Sequence, residues 1–443
     1  MSNLEKGNSK LLFAWAFYDW ANSVYSLVIA SAIFPIFYGA LFKIKGSPIN
    51  GNYYIDVFGT TLKSTALISF VTAAAFLLVA IISPLLSGIA DFAGNKKNFM
   101  KFFCYLGAVS CISLYWFSLE NIYWSLLAYF LGLIGFWGSL VFYNSYLPDI
   151  AFPDQQDRVS AKGFSLGYIG SVILLIVNLA MVMKPELFGI SGTSGEAKMK
   201  AMRYSFITVG VWWILFSQYT YYYLPKGNKG QKVTNSVIFN GFRELQKVWG
   251  LLGENQKLKR FLGSFFVYGM AVQTVMIVAV YFGEQEILWA SDSEKTTGLI
   301  ISILVIQLVA ILGAFLTSKA SAKFGNIVTL IFLNCVWAVL CVVAFFVTTP
   351  VEFYLTAGFV GLVMGGIQAL SRSTYSKLLP ETNDTASFFS FYDVTEKIGI
   401  VIGMCLYGII DQVTGSPRYS IIFLCLFFIS GIILLTRVRK ITK

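Results

Sequence analysis

Twelve apolar runs, most of them at or beyond the ~20 residues a helix needs to cross a bilayer core, limit what this chain can become. They lie at 11–42, 64–90, 99–118, 122–147, 160–183, 203–224, 260–283, 296–318, 327–347, 351–377, 386–411 and 417–437. In hydrocarbon every backbone N–H and C=O must be bonded internally, so only helices and closed barrels can span. The runs are continuous and lack the alternation of barrel strands. The expected fold class is an all-α membrane protein with twelve transmembrane helices. Composition agrees: 57% of the 443 residues are hydrophobic and 12% charged, roughly half the charged share of a soluble domain. The first run is too long for a secretory signal, with no cleavage region or transit pattern beside it, and is expected to be the first spanning helix.

The net charge of +11 is explained by topology. With both termini placed in the cytoplasm, about 23 Lys and Arg fall in cytoplasmic segments, about 9 fall outside, and Lys397 lies within a helix. A nucleic-acid partner is therefore not expected. Basic clusters in the central loop and at "RVRK", 437–440, suit anionic lipid headgroups. The six cysteines (Cys104, Cys111, Cys335, Cys341, Cys405, Cys425) all lie inside apolar runs and read as small buried residues. There is no histidine, so any proton chemistry must use carboxylates.

The chain divides at 225–259, a polar "PKGNKGQK" followed by helical spacing of Ile238, Phe242, Leu245, Trp249 and Leu252 with Arg243, Glu244 and Lys247 opposite. This predicts an amphipathic helix on the cytoplasmic membrane surface, with a six-helix half at 1–224 and another at 260–443. The halves repeat. "YNSYLPD", 143–149, and "YSKLLPE", 375–381, share Tyr-x-x-x-Leu-Pro-acid, and "FAGN", 92–95, matches "KFGN", 323–326, at nearly the same offset. Gly163 with Gly167, and Gly399 with Gly403, form Gly-x-x-x-Gly pairs in the fifth and eleventh runs, a spacing that lets helices pack closely.

Two parallel halves with a cytoplasmic linker resemble the major facilitator superfamily. "SGIADFAGNKK", 87–97, is similar to that superfamily's loop motif between helices two and three, through Gly88, Asp91, Gly94, Lys96 and Lys97; Phe92 stands where a base is usual. "YDWANSVYS", "FYNSYLP", "KGFSLGYIGS" and "GGIQALSRSTYSKLLPE", in that order, resemble the vacuole-effluxer family, which includes fungal vacuolar amino-acid exporters and bacterial relatives. The resemblance implies transport, with amino acids as an implied substrate class, and a gating role for the five loop-motif residues.

Within the first run, Asp19, Asn22, Ser23 and Ser26 form one polar stripe at helical spacing. An ionised carboxylate facing lipid is costly, so Asp19 is expected to face the bundle interior, either as a substrate or proton site or as part of a packing network. In the eleventh run, Asp393 and Lys397 can pair at i, i+4. That leaves Glu396 to be protonated, held by another helix or exposed to a cavity. Glu396, then Asp19, with Asp393 and Lys397 beside it, are the proton-coupling candidates. In the tenth run Gln368, Ser371, Arg372 and Tyr375 share a face. Arg372 could bind a substrate carboxylate bidentately or serve as a positive-inside anchor. Tyr143 and Asn144, and Lys162, Ser165 and Tyr168, would extend the lining, with Tyr268, Gln273, Gln307 and Tyr392 as further candidates. Such a pocket, holding both signs of charge, would suit a zwitterion or an organic anion with a coupled proton.

The expected activity is secondary transport of a small polar solute, an amino acid or similar metabolite, by alternating access with proton coupling. The expected setting is a monomer in the cell inner membrane, without metal or cofactor. An exporter of amphipathic compounds and a non-transporting receptor of the same fold are the alternatives. An enzyme is not expected, since Ser-His pairs, phosphate loops and metal-ligand spacings do not occur.

Overall fold

The computed structural model describes residues 4–45, 53–226, 237–414 and 416–440. The chain opens with α1 (Ser9–Val24), a π-helical segment (Tyr25–Ala32) and α2 (Ile33–Lys45). An antiparallel hairpin follows, β1 (Tyr54–Val57) and β2 (Thr60–Lys63). Then come α3 (Ser64–Ala93), α4 (Lys96–Ser113), α5 (Ile122–Ser145), the short α6 (Leu147–Ile150), α7 (Pro153–Met183) and α8 (Ser194–Tyr223). Next are α9 (Val237–Glu254), α10 (Gln256–Glu286), α11 (Asp292–Phe324), α12 (Asn326–Phe346), α13 (Pro350–Leu378), α14 (Thr385–Thr414) and α15 (Pro417–Lys440).

Ten helical stretches among the described residues are long and apolar enough to cross a membrane. Two further helices of 30 residues, α8 and α14, are not in that set. α8 is rich in tyrosine and tryptophan, and α14 carries Asp393, Glu396 and Lys397. The first spanning stretch departs from simple helical reading. Its polar stripe enters the π segment, whose wider turn shifts the register. Ser26, inside the π segment, donates back to Ser23 O at 2.9 Å.

Buried apolar residues fall into two main sets. One draws on residues 11–224 together with Ala386; the other draws on residues 248–438 together with Tyr168. Close helix approach depends on the glycine pairs. A Cβ on Gly167 would stand 3.2 Å from Asp19 O and Ser23 Cβ, so α7 packs directly on α1. A Cβ on Gly399 would meet Met270 Cβ at 3.4 Å, and one on Gly403 would meet Met270 Cγ at 3.0 Å, so α14 packs on α10 in the same manner. Contrary to the uniformly buried reading, Cys335 and Cys405 are exposed on outward helix faces; the other four cysteines are buried.

The amphipathic segment is helical as α9, although the side chains of Ile238, Phe242 and Glu244 lie outside the described residues. Val248 and Leu252 are buried against the second apolar set. Trp249 is exposed, with its ring 5.4 Å from Phe391. Asn255, which caps α10, donates to Leu378 O at 3.3 Å. The helix is thus fastened to the ends of α13 and α14.

If close backbone approach holds α7 on α1, Gly167→Leu should lower the melting temperature of the purified protein, with a cost of about 1–3 kcal/mol from overpacking. Gly263→Leu, at an exposed α10 position with nothing within 4 Å, should leave it unchanged. Equal melting of both variants would contradict this packing.

Candidate functional site

Arg372 sits in the last third of α13 and is buried, which removes the interfacial-anchor reading. All five of its N–H donors are engaged. Nε donates to Ser160 Oγ at 2.9 Å, and Nη2 donates to Ser160 O at 3.0 Å. Nη1 and Nη2 each donate to Asp19 Oδ2 at 3.3 Å, and Nη1 also donates to Asn144 Oδ1 at 3.3 Å. Tyr143 OH donates to the same Asp19 oxygen at 2.9 Å. The guanidinium lies among three rings: Phe164 at 4.3 Å, Trp15 at 4.8 Å and Tyr143 at 5.4 Å, distances suited to cation–π attraction.

The arrangement follows from sequence position. Trp15 and Asp19 are one turn apart on α1, and Trp15 Nε1 donates to Tyr143 O at 2.8 Å. Gly163 leaves room for the ion pair: a Cβ there would stand 3.1 Å from Arg372 Nη2 and from Tyr143 OH. Four helices, α1, α5, α7 and α13, therefore meet on one pair of charges. The other members of the Asp19 stripe are neutral; the principal partner of Asp19 is a cation from α13, 353 positions away.

A second charged group lies on α14. Lys397 Nζ contacts Asp393 Oδ1, as i, i+4 spacing predicts, and reaches Glu396 Oε2 at 3.2 Å. Glu396 is not locally unpartnered as expected, and its Oε1 also accepts from Gln273 Nε2 of α10 at 2.6 Å. The Lys397 ammonium stands 3.8 Å from the Trp137 ring centroid on α5. Glu396 is the accessible member: its side chain is 18% exposed, against 6% for Asp393 and 1% for Lys397.

Among the described residues no hydrogen bond or ion pair joins these two charged groups directly. Between them, Tyr168 OH donates to Gln368 Oε1 at 3.0 Å, and Gln368 Nε2 reaches Met276 Sδ at 3.3 Å. Tyr268 OH and Ser371 Oγ are 2.8 Å apart. Tyr392 stacks on Phe265 at 4.2 Å and lies 5.0 Å from Tyr375. Ser23 donates to Asn22 Oδ1 at 3.3 Å, while the buried Asn22 Nδ2 has no partner among the described residues. Lys162 does not join the lining; it is exposed on α7, 4.6 Å from the Phe13 ring. Gln307 is half-buried on α11.

At the end of the bundle near α9, two clasps join early and late helices. Asp91 accepts from Ala386 N at 3.2 Å and from Ser387 N and Oγ at 2.7 Å, capping the start of α14, where exposed amides favour an anion. Lys96 contacts Asp149 and donates to Thr385 Oγ1 at 2.6 Å. Lys97 instead donates to Leu224 O at 2.7 Å. Gly94 takes the left-handed conformation that ends α3, and Gly88 is buried in its last turns. The second clasp centres on Asp157 of α7, which accepts from Ser321 Oγ and Asn326 Nδ2 at 2.9 Å and from Lys377 Nζ at 2.6 Å. Sequence reading missed Asp157, Ser160, Trp15 and Trp137. For Asp157 a signal existed, since Asn326 closes the "KFGN" repeat.

This arrangement belongs to the major facilitator fold. The structure aligns with the proton:xylose symporter XylE over 97% of this chain and 95% of that one (TM-score 0.70, 12% identity). It also aligns with the Escherichia coli fucose:proton symporter FucP over 97% and 98% (TM-score 0.68, 14% identity). Residues 7–441 match the family described as "Vacuole effluxer Atg22 like", and the chain belongs to that family. It is 30% identical to YxiO of Bacillus subtilis, an uncharacterized MFS-type transporter, across 97% of this chain and 95% of the relative. It is 23% identical to autophagy-related protein 22 of Eremothecium gossypii across 95% and 89%. The protein is thus a multi-pass membrane protein of an MFS-type transporter family.

Removing one partner of a buried ion pair leaves the other charge uncompensated, at a cost of about 3–5 kcal/mol. Arg372→Met and Asp19→Leu should each lower thermal stability sharply, and the double variant should recover part of the loss. Additive losses in the melting temperatures would show that the two side chains do not depend on each other.

Proposed function

We propose that the protein is a secondary active transporter that moves a small polar solute, an amino acid or similar metabolite, by alternating access. The observation that carries this reading is the buried Asp19–Arg372 pair, a charged contact made at the convergence of four helices deep in an apolar bundle. Intramembrane charges of this kind ordinarily line solute or ion routes. In this reading twelve helices span the membrane, with halves at 1–224 and 260–443 and a cytoplasmic linker at 225–259; the two buried apolar sets support that division. Asp19, Asn22, Ser23, Tyr143, Asn144, Tyr168, Gln273, Gln368, Arg372 and Tyr392 form the solute region. Gly88, Asp91, Gly94, Lys96 and Lys97 serve the gate, supported by the bonds that Asp91 and Lys96 make to the start of α14.

Coupling is assigned to protons at Glu396, with Asp19, Asp393 and Lys397 as its charged surroundings. Glu396 is the most exposed of the acids in the α14 network and is held by one amide and one ammonium. The protein acts as a monomer in the plasma membrane with both termini cytoplasmic, in contact with lipid and without a cofactor or enzymatic activity.

The test is uptake of a labelled mixture of amino acids and amines into vesicles, with and without an imposed pH gradient. Protein-dependent accumulation should follow the gradient and be lost in Asp19→Asn. Accumulation indifferent to the protein would overturn the transport reading. Glu396→Gln should retain exchange between equal pools and lose gradient-driven accumulation; unchanged accumulation would remove Glu396 from coupling.

Topology is checked separately. In a variant without native cysteines, a cysteine introduced at Asn228 should resist an impermeant reagent in intact cells and react after lysis. Ready labelling from outside would invert the proposed orientation.

A further inference from the structure

The two ion networks together carry three carboxylates, Asp19, Asp393 and Glu396, against two cations, Arg372 and Lys397. The formal sum is −3 + 2 = −1. The two cations are also the groups already in use. Arg372 has all five donors satisfied by Asp19, Asn144 and Ser160. Lys397 is 1% exposed, contacts both acids on its own helix and covers the Trp137 face. A solute carboxylate would have to strip one of these cations from its partners and leave a buried acid uncompensated, which is the costly way to open a buried pair.

The acids, by contrast, have acceptor capacity to spare. All three hydrogen bonds to Asp19 end on Oδ2, and Oδ1 accepts none among the described residues. Asp393 Oδ2 is buried with no partner among the described residues. Glu396 accepts one hydrogen bond on each oxygen, where a carboxylate can take about four in all. Tyr168 and Gln368 lie on α7 and α13, two helices of the Arg372 network, and Gln273 and Met276, three residues apart on α10, link Gln368 to Glu396. A group with several N–H donors, one positive charge and no acceptor matches what is left over.

Resting on the transport reading above, we infer that the solute is an organic monocation, recognised by its primary ammonium group at the spare carboxylate oxygens of Glu396, the accessible acid of the α14 network, and that a carboxylate on the solute makes no ion pair with the protein. This departs from the pocket the sequence suggested. There both signs were taken as available, so zwitterions and organic anions were equally suited. The structure commits both cations to internal partners and, when Glu396 is ionised, leaves one uncompensated negative charge. A single bound ammonium neutralises that charge.

The experiment measures binding to the purified protein by thermal shift, using matched sets of one chain length: the primary ammonium ion, the carboxylate and the corresponding amino acid, from two to six carbons. The ammonium ions should raise the melting temperature saturably, at lower concentration than the amino acids, and the carboxylates should give no shift. Glu396→Gln should weaken ammonium binding by about tenfold or more, since a charge-assisted contact becomes a neutral one. Tighter binding of the amino acids or carboxylates would overturn the inference while leaving transport intact, because vesicle accumulation is read independently. Absence of any ammonium shift across the series would overturn it as well.

Discussion

Burial of Arg372 organises the interior. A guanidinium cannot shed its charge, so an apolar bundle can hold it only by supplying acceptors for each donor and a counter-charge. Those acceptors come from three other helices: Asp19 on α1, Asn144 on α5, and the side chain and backbone of Ser160 on α7. The requirement fixes how these helices meet α13. It also accounts for Gly163, whose missing Cβ lets α7 approach the ion pair, and for the aromatic walls that exclude water. Electrostatics and packing are therefore one constraint at this point.

Much of this was legible in the sequence, for identifiable reasons. Hydrocarbon imposes a length on every spanning run, so most helix ends could be read to within a few residues, although α7 and α8 begin seven and nine residues before their apolar runs and α11 ends six residues after its run. An acid in such a run must face inward, so Asp19 and the α14 charges stood out. The i, i+4 rule gave Asp393 with Lys397 because that contact lies within one helix. Pairing between helices was not legible. Asp19 and Arg372 are 353 positions apart, and periodicity says which face a residue occupies but not which helix that face meets. Ser160, Trp15 and Trp137 were missed for the same reason: a serine or tryptophan in an apolar run gives no signal until its neighbour is known. The π segment after Val24 was missed because a change in turn width leaves the hydrophobic pattern intact.

The repeat gains physical content in three dimensions. Gly163 and Gly167 press α7 onto α1, and Gly399 and Gly403 press α14 onto α10. Tyr143 and Tyr375, the matching tyrosines of the Leu-Pro-acid motif, are both buried, yet they bond differently: one donates to Asp19, the other to Phe388 O at 2.5 Å. The clasps near α9 likewise keep a shared plan with different chemistry. Asp91 reaches from the end of α3 to cap α14, whereas the corresponding loop after α11 offers Ser321 and Asn326 to Asp157 on α7. The packing repeats more faithfully than the polar contacts laid on it.

The two ion networks differ in a way that separates their mechanical roles in the proposed cycle. The Asp19–Arg372 network ties α13 to α1, α5 and α7 through several bonds on one cation. Any relative movement of α13 against these helices must break several bonds together. Such a contact behaves as a two-state joint, since a partly broken buried network is worse than either an intact or a resolvated one. The α14 network is mostly local to one helix, and among the described residues its links to others are a single amide from Gln273 and the face of Trp137. Its charge can be altered at Glu396 without dismantling a joint between helices. A transporter needs both properties, a contact that resists intermediate positions and a charge that exchanges freely, and here they reside on different helices.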